Sequence, residues 1–336
     1  MTIEFEERHG ELLWVCNPFT GAATYFTHVH KKRSGFVVPT LESHSATAED
    51  PGHRGERRQA AIRSCPFCPG NEAATREEVL RVRHGDIFPG AGDEWLIRAV
   101  RNIIPRIPEA CTGGHNESYV VIEDPRHFAG DSGGDDDLLY SGLLAPEQFQ
   151  ALLAADCEVA RRAYANPAVG SVLIRKNQGR ESGASQPHVH NQVIGCDRPF
   201  PAIAREAEVS RARPTVWPDI VSFVRDHGFV LAEREGFVAY FCPFGTFPRS
   251  YEIVCLEERA RLIDLPESRR RVFVALLFEM VQLLGSMPLD YEIHDGFGVP
   301  LHAHVNARHY AYSNIGGTLN LPSNLVGPAA RGGRAS

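Results

Sequence analysis

Apolar positions recur along this chain in two rhythms. Short runs rich in β-branched and aromatic residues predict strands at Tyr119-Val120-Val121-Ile122, Val172-Leu173-Ile174, Val238-Ala239-Tyr240-Phe241 and Glu252-Ile253-Val254-Cys255-Leu256. Two longer stretches carry helical spacing. One starts near Pro146, a residue suited to a first helical turn, and sets Phe149, Leu152, Leu153, Ala160 and Tyr164 on an approximate stripe. The other covers residues 266–284 and is apolar over much of its surface. Three stretches break the pattern. Residues 41–63 are polar and lack an apolar period, residues 130–137 are glycine and aspartate with one serine, and residues 327–336 are small and polar. All three read as surface loops or loose ends.

The elements come in a repeated order. Helix 146–164 is followed by a strand and then by His188-Val189-His190; helix 266–284 is followed by the strand-like Tyr291-Glu292-Ile293-His294 and then by His302-Ala303-His304. This order predicts a duplicated unit in an α+β fold, with a mostly antiparallel sheet and packed helices. The expected division is 1–195 for the first unit, 196–326 for the second and 327–336 for a flexible tail.

Composition narrows the function classes. With 336 residues, 43% hydrophobic and 23% charged, the chain can bury a full core. A net charge of −7 makes nucleic acid a poor main partner. No apolar run approaches a membrane span, and the acidic start MTIEFEERHGELLW lacks the features of a secretory signal, so a cytoplasmic location is expected. Of eight cysteines only Cys65 and Cys68 lie close in sequence; the others read as buried free thiols.

The densest chemistry is Pro187-His188-Val189-His190-Asn191-Gln192. On a strand, His188, His190 and Gln192 would share one face. One imidazole can be fixed by a metal while the next, His190, attacks phosphorus; Gln192 can donate to the charge that develops. His190 needs an acceptor for its second ring nitrogen, such as a backbone carbonyl, to fix its tautomer. The preceding glycines and serines leave room for a phosphate. Cys65-Pro66-Phe67-Cys68-Pro69-Gly70 supplies two thiolates for zinc, with His188 and either His127 or His115 to complete a tetrahedron. His302 and His304, with His294 and Glu206, are candidates for a second metal site, iron or zinc, or are a degenerate copy of the first. The cluster His28-Val29-His30-Lys31-Lys32-Arg33 reads first as a solvated edge, and otherwise as a phosphate contact.

These residues resemble the galactose-1-phosphate uridylyltransferase family of the histidine-triad superfamily. The likeness runs over residues 17–304: Asn17-Pro18-Phe19-Thr20-Gly21 with the following basic run, the CPFCPGNE knuckle, NQGRESGASQPHVHNQ at 177–192, and Leu301-His302-Ala303-His304. The resemblance implies two fused histidine-triad-like units, ping-pong nucleotidyl transfer, and commonly a homodimer. It makes His190 the nucleotidylated nucleophile, Gln192 its partner and Ser185 a phosphate contact. It assigns Cys65, Cys68, His127 and His188 to zinc, Asn102 and Asn177 to the nucleotide, Arg33 to phosphate, and Glu206, His294, His302 and His304 to a second metal.

Three departures bear on specificity. Ile103 follows Asn102 where uridylyltransferases typically carry a charged residue, His30 replaces a usual arginine, and the segment after Arg308 lacks the family's sugar-contacting patterns. The resulting expectation is a UDP-glucose–hexose-1-phosphate uridylyltransferase-like enzyme. The alternatives are a nucleotide-sugar or dinucleoside polyphosphate phosphorylase using AMP or GMP, and a zinc-stabilised nucleotide-binding protein without turnover. The expected ligands are a nucleotide sugar or other nucleoside diphosphate donor and a phosphorylated acceptor.

Overall fold

The computed structural model describes residues 3–8, 12–21, 23–27, 51–130, 138–245, 247 and 249–308. The chain divides into two compact units: Leu41–Phe200 with Leu284–Pro288, and Met1–Thr40 with Pro201–Leu283 and Leu289–Ser336.

In the first of these units, five antiparallel strands lie in the order β4 (Glu78–Arg83), β5 (Trp95–Arg101), β6 (Ser118–Ile122), β8 (His190–Cys196), β7 (Ser171–Gln178). Directly opposed residues of an antiparallel pair share a face. The register Ile122↔His190 and Val120↔Gln192 therefore places His190 and Gln192 on the face that carries Val120 and Ile122. That face is covered by an apolar cluster of Cys65, Phe67, Cys68, Trp95, Val100, Val120 and Ile122. The opposite face takes α3 (Pro146–Tyr164), which begins with Pro146 in its first turn and buries Phe149, Leu152, Leu153 and Ala160 as the stripe predicts; Tyr164 is half-buried. A one-turn helix, α2 (His84–Ile87), follows β4.

Residues 51–63, expected to be loop, lie in helix α1 (Pro51–Ser64). Its Arg, Glu, Gln and Ala residues are good helix formers, and Pro51 suits a first turn. No stripe was legible because a single aliphatic residue, Ile62, packs on the Cys65–Cys68 cluster. Asn71 Nδ2 donates to the carbonyls of both Ile62 and Cys65 at 2.8 Å, tying the end of α1 to the knuckle. Of the other loose stretches, residues 41–50, 131–137 and 327–336 lie outside the described residues.

The other unit repeats the plan. Its strands run in the order β9 (Val230–Arg234), β10 (Phe237–Phe241), β11 (Ser250–Cys255), β13 (His302–Ala307), β12 (Leu289–His294), again antiparallel. The connection β11, α6 (Glu267–Leu284), β12, β13 matches β6, α3, β7, β8 element for element. The predicted α+β architecture of two fused histidine-triad-like units is what is observed. Helices α4 (Pro201–Ala212) and α5 (Val216–Asp226) precede the sheet, and α5 buries Val216, Trp217, Ile220, Val221 and Val224.

The observed division differs from the expected one: the break falls after Phe200 rather than after residue 195, and Leu284–Pro288 joins the first unit. The N-terminal sheet β1 (Phe5–Arg8), β2 (Leu12–Cys16), β3 (Ala23–Thr27) belongs to the second unit rather than to a 1–195 unit. Asn17 Nδ2 donates to the Phe244 carbonyl at 2.9 Å, Phe19 lies 4.8 Å from Trp217, and Phe5 meets Phe223 edge-on at 5.2 Å. All eight cysteines are free, but Cys16 and Cys111 are only half-buried, against the expectation of burial.

Candidate active site and metal clusters

The knuckle brings four ligand atoms together. Cys65, Cys68, His127 and His188 are all buried, and one donor atom from each lies within 4.8 Å of the others. His188 Nδ1 is 3.6 Å from Cys65 Sγ and 3.5 Å from Cys68 Sγ; His127 Nδ1 is 3.3 Å from Cys68 Sγ. A tetrahedral zinc with Zn–S of about 2.3 Å and Zn–N of about 2.0–2.1 Å has S···N edges of about 3.6 Å, so the donor set fits a closed structural site. His188 Nε2 donates to the Asp124 carbonyl at 2.7 Å, which leaves the Nδ1 lone pair aimed at the sulfurs. Hydrogen bonding from the Cys68 thiol holds Cys65 well below the usual thiol range against the opposing effect of burial, while the same bond and burial push Cys68 up. His115, the alternative ligand, is exposed on the turn after Thr112 and takes no part.

The nucleophile candidate sits beside this cluster. Strand β8 begins at His190, so His188 lies in the bend before it rather than on one continuous strand with His190 and Gln192. Phe67 still touches both imidazoles, with centroids 6.1 Å from His188 and 5.4 Å from His190. His190 Nδ1 donates to the His188 carbonyl at 2.7 Å, the acceptor the sequence called for, and Nε2 keeps its lone pair. Burial pulls the His190 imidazole down to about 4, with Lys176 among the charges that add to this, so the ring is neutral at pH 7.

Beneath the strand lies a buried polar network. Lys176 Nζ pairs with Glu123 and also donates to the His190 carbonyl at 3.4 Å; Ser141 Oγ donates to the other Glu123 oxygen at 2.5 Å. Asp124, whose carbonyl holds His188, is itself fixed by Arg126 and by Gln148 of α3. On the α3 side, Asn191 Nδ2 donates to Asp156 at 2.6 Å, and burial pushes the Asp156 carboxyl up to about 8. Asp156 Oδ1 and Asn191 Oδ1 are both buried acceptors without a donor among the described residues, and a proton on the carboxyl supplies one.

The other sequence candidates fall around this face. Arg175 opposes Gln192 in the register, and its Nη2 donates to Asn177 Oδ1 at 2.7 Å, which leaves the Asn177 amide N–H groups to donate. The lead-in to His188 turns through Gly179 and Gly183 at φ 79° and 87°, conformations that favour glycine, and leaves Ser185 exposed. Asn102 is half-buried just past β5, its N–H on the Ser118 carbonyl at 2.8 Å. Arg33 and the basic run around it lie outside the described residues.

The second unit holds Glu206, His294, His302 and His304 with ligand atoms likewise within 4.8 Å. Glu206 accepts from His294 Nδ1 at 2.9 Å and lies 3.2 Å from both His302 Nε2 and His304 Nε2. Burial pushes Glu206 up, but His294 and His302 outweigh it and hold the carboxyl well below its ordinary range. His302 Nδ1 donates to the Pro300 carbonyl at 2.7 Å, so its Nε2 presents a lone pair to a carboxylate oxygen and has no hydrogen-bond partner. Two acceptors facing each other in a buried site suit a cation between them.

A family profile described as "Domain of unknown function (DUF4921)" matches residues 77–261, more than half of the chain. The chain belongs to the DUF4921 family. This DUF4921 protein is 24% identical over 251 residues to the ADP-glucose phosphorylase of Arabidopsis thaliana, a match covering 69% of this chain and 67% of that protein. The crystal structure of an Arabidopsis thaliana ADP-glucose phosphorylase with bound ADP-glucose superposes with a TM-score of 0.65 at 18% identity, covering 98% of this chain and 99% of that one. A uridylyltransferase structure gives 0.56 at 19% identity, covering 96% of each chain. The fold of the DUF4921 protein is thus the one the sequence resemblance implied.

Sequence reasoning missed Glu123, Asp124, Gln148, Asp156, Lys176 and Arg175. Lys176 had a signal: it is a charged residue two positions beyond the apolar run Val172-Leu173-Ile174 of β7, opposite Asn191 of β8. Glu123, Gln148 and Asp156 are brought in by side-chain contacts across 24 or more residues of sequence, Asp124 serves His188 through its carbonyl, and Arg175 acts on Asn177, two residues away on β7.

Proposed function

We propose that this protein transfers a nucleoside monophosphate through a covalent bond to His190. The observation that carries the reading is the His190 tautomer: Nδ1–H is committed to the His188 carbonyl, so a neutral ring in a buried strand holds its Nε2 lone pair for an electrophile. In the first half-reaction Nε2 bonds to the α-phosphorus of a nucleoside diphosphate sugar, and the bond from that phosphorus to the sugar phosphate breaks. In the second, an acceptor phosphate oxygen attacks the same phosphorus, the N–P bond breaks and the free imidazole returns. Gln192, on the same face, donates to the charge on the nonbridging oxygens. Ser185, Asn102, Asn177 and Arg33 are proposed to hold phosphate and nucleoside. Zinc bound by Cys65, Cys68, His127 and His188 would act structurally, locking the knuckle and with it the His188 carbonyl that orients His190. Glu206, His294, His302 and His304 are proposed to hold a second ion, iron or zinc.

Two acceptors are compatible with this chemistry: a hexose 1-phosphate, as in uridylyl exchange, and inorganic phosphate, as in a phosphorylase. The likeness to ADP-glucose phosphorylase and the apolar Ile103 beside Asn102 favour an adenine nucleotide passed to phosphate. Intact-protein mass spectrometry after incubation with UDP-glucose, ADP-glucose, GDP-mannose and dinucleoside polyphosphates tests the reading. A nucleoside monophosphate adduct present in the wild type and missing in His190→Gly is expected, and its mass names the base. No adduct with any donor would sink covalent transfer in favour of a binding protein without turnover.

A further inference from the structure

His302 opens β13 as His190 opens β8, and each gives its Nδ1 proton to the carbonyl two residues back, at 2.7 Å in both cases. His304 therefore stands where Gln192 stands in the first unit. Around Gln192, the row across three neighbouring strands is Val120, Gln192, Arg175. The corresponding row in the second unit is Glu252, His304, Glu292. Directly opposed residues share a face. An apolar side chain, an amide and a cation are thus exchanged for a carboxylate, an imidazole and a carboxylate. All three changes turn the face from one suited to an anion into one suited to a cation. Tyr240 of β10, opposite Glu252, extends the row.

Three imidazoles each turn one nitrogen to Glu206: His294 Nδ1 at 2.9 Å, His302 Nε2 at 3.2 Å and His304 Nε2 at 3.2 Å. Each far nitrogen meets an oxygen outside the cluster. His302 uses the Pro300 carbonyl, His294 Nε2 lies 3.6 Å from Glu292, and His304 Nδ1 lies 3.1 Å from Glu252 Oε1. A carboxylate only accepts, so His304 gives its Nδ1 proton to Glu252 and keeps the Nε2 lone pair on the Glu206 side. His304 is half-buried and takes this acceptor from the neighbouring strand, not from its own backbone. Glu252 is held in turn. It is buried, and its other oxygen accepts the hydroxyl of the fully buried Tyr240.

We propose that Glu252, fixed by Tyr240, is the positioning residue of the second metal cluster: it sets the His304 tautomer and ring orientation so that Nε2 faces a divalent transition-metal ion shared with Glu206, His294 and His302. This deepens the second-ion reading and rests on it; covalent transfer at His190 is independent of it. An outer carboxylate on a ligating imidazole fixes the ring and makes the inner nitrogen a stronger donor.

Elemental analysis of the full chain, produced with added zinc and then challenged with increasing chelator, tests this in wild type, His302→Ala, Glu252→Ala and Glu252→Gln. The wild type is expected to carry one more ion per chain than His302→Ala. Removing the outer partner is expected to weaken retention of that ion by about tenfold to a hundredfold in Glu252→Ala. Glu252→Gln should fall between the two, because its amide oxygen still accepts the Nδ1 proton. The ion of the Cys65–Cys68 knuckle should stay in both Glu252 variants, which separates positioning from general loss of structure. Wild-type retention in Glu252→Ala, or in Glu252→Gln should the alanine variant fail to fold, would overturn the role of Glu252 and leave the second ion standing. A wild type that holds no more metal than His302→Ala would overturn the second ion and this role with it, leaving His304 as an imidazolium between two carboxylates.

Discussion

Replacing Lys176 by methionine removes a charge from the interior while keeping most of the stem. The side chains of Lys176 and Glu123 are 1% and 0% exposed, so each is the other's main compensation for leaving water. In Lys176→Met the Glu123 carboxylate keeps only the Ser141 hydroxyl. At an effective dielectric of about 20 a contact ion pair is worth about 5 kcal/mol, and breaking a buried pair from one side typically costs about 3–5 kcal/mol. We expect Lys176→Met to lose stability in that range, a large part of a typical domain's margin. Glu123→Gln should lose a comparable amount, because it strands the ammonium. The double variant should recover most of the loss, since a methionine beside a neutral amide leaves no buried charge. Urea unfolding of the four proteins at pH 7, with hydrogen exchange of the β7 and β8 amides as a local readout, gives the coupling. A loss below about 1 kcal/mol in Lys176→Met, or losses that simply add in the double variant, would refute the view that these charges compensate each other in a dry site.

Two further outcomes follow from the geometry. Cys65→Ser should lower zinc content and unfolding temperature, while His190→Gly keeps zinc near the wild-type level; metal analysis of the purified proteins checks this, and equal zinc in Cys65→Ser and wild type would contradict the knuckle assignment. Asp156, raised from an ordinary 3.8 to about 8 by burial, holds a proton in the fold that the unfolded chain releases, so its contribution to stability falls as pH rises from about 4 to about 8. At 1.36 kcal/mol per pH unit the ceiling is about 6 kcal/mol. Asp156→Asn should flatten the decline in unfolding free energy between pH 5 and pH 8, and parallel pH profiles for the two proteins would rule the argument out.

The legible parts of this molecule were those with local patterns. Helix α3 announces itself because Phe149, Leu152, Leu153 and Ala160 recur at helical spacing against a sheet. Helix α1 does not, because Ile62 is its single aliphatic contact with the core cluster. The repeat of helix, strand and paired histidines was visible in order, and the strand pairing of the two units follows it. The N-terminal strands were assigned to the wrong unit because their attachment runs through Asn17 and Phe244, 227 residues apart, a contact that no local pattern encodes.

By itself the sequence determined the chemical inventory: two thiols on one turn, imidazoles two residues apart, a carboxamide after them, and glycines where the lead-in must bend. Residue type and short spacing are enough for that, since reactivity and turn geometry are local properties. Only the tertiary structure decided between His127 and His115, set the tautomers of His188 and His190 through the carbonyls of Asp124 and His188, and closed the Lys176–Glu123 pair beneath the strand. Those choices depend on burial and on donors brought together from distant segments, which exist only once the sheet has formed.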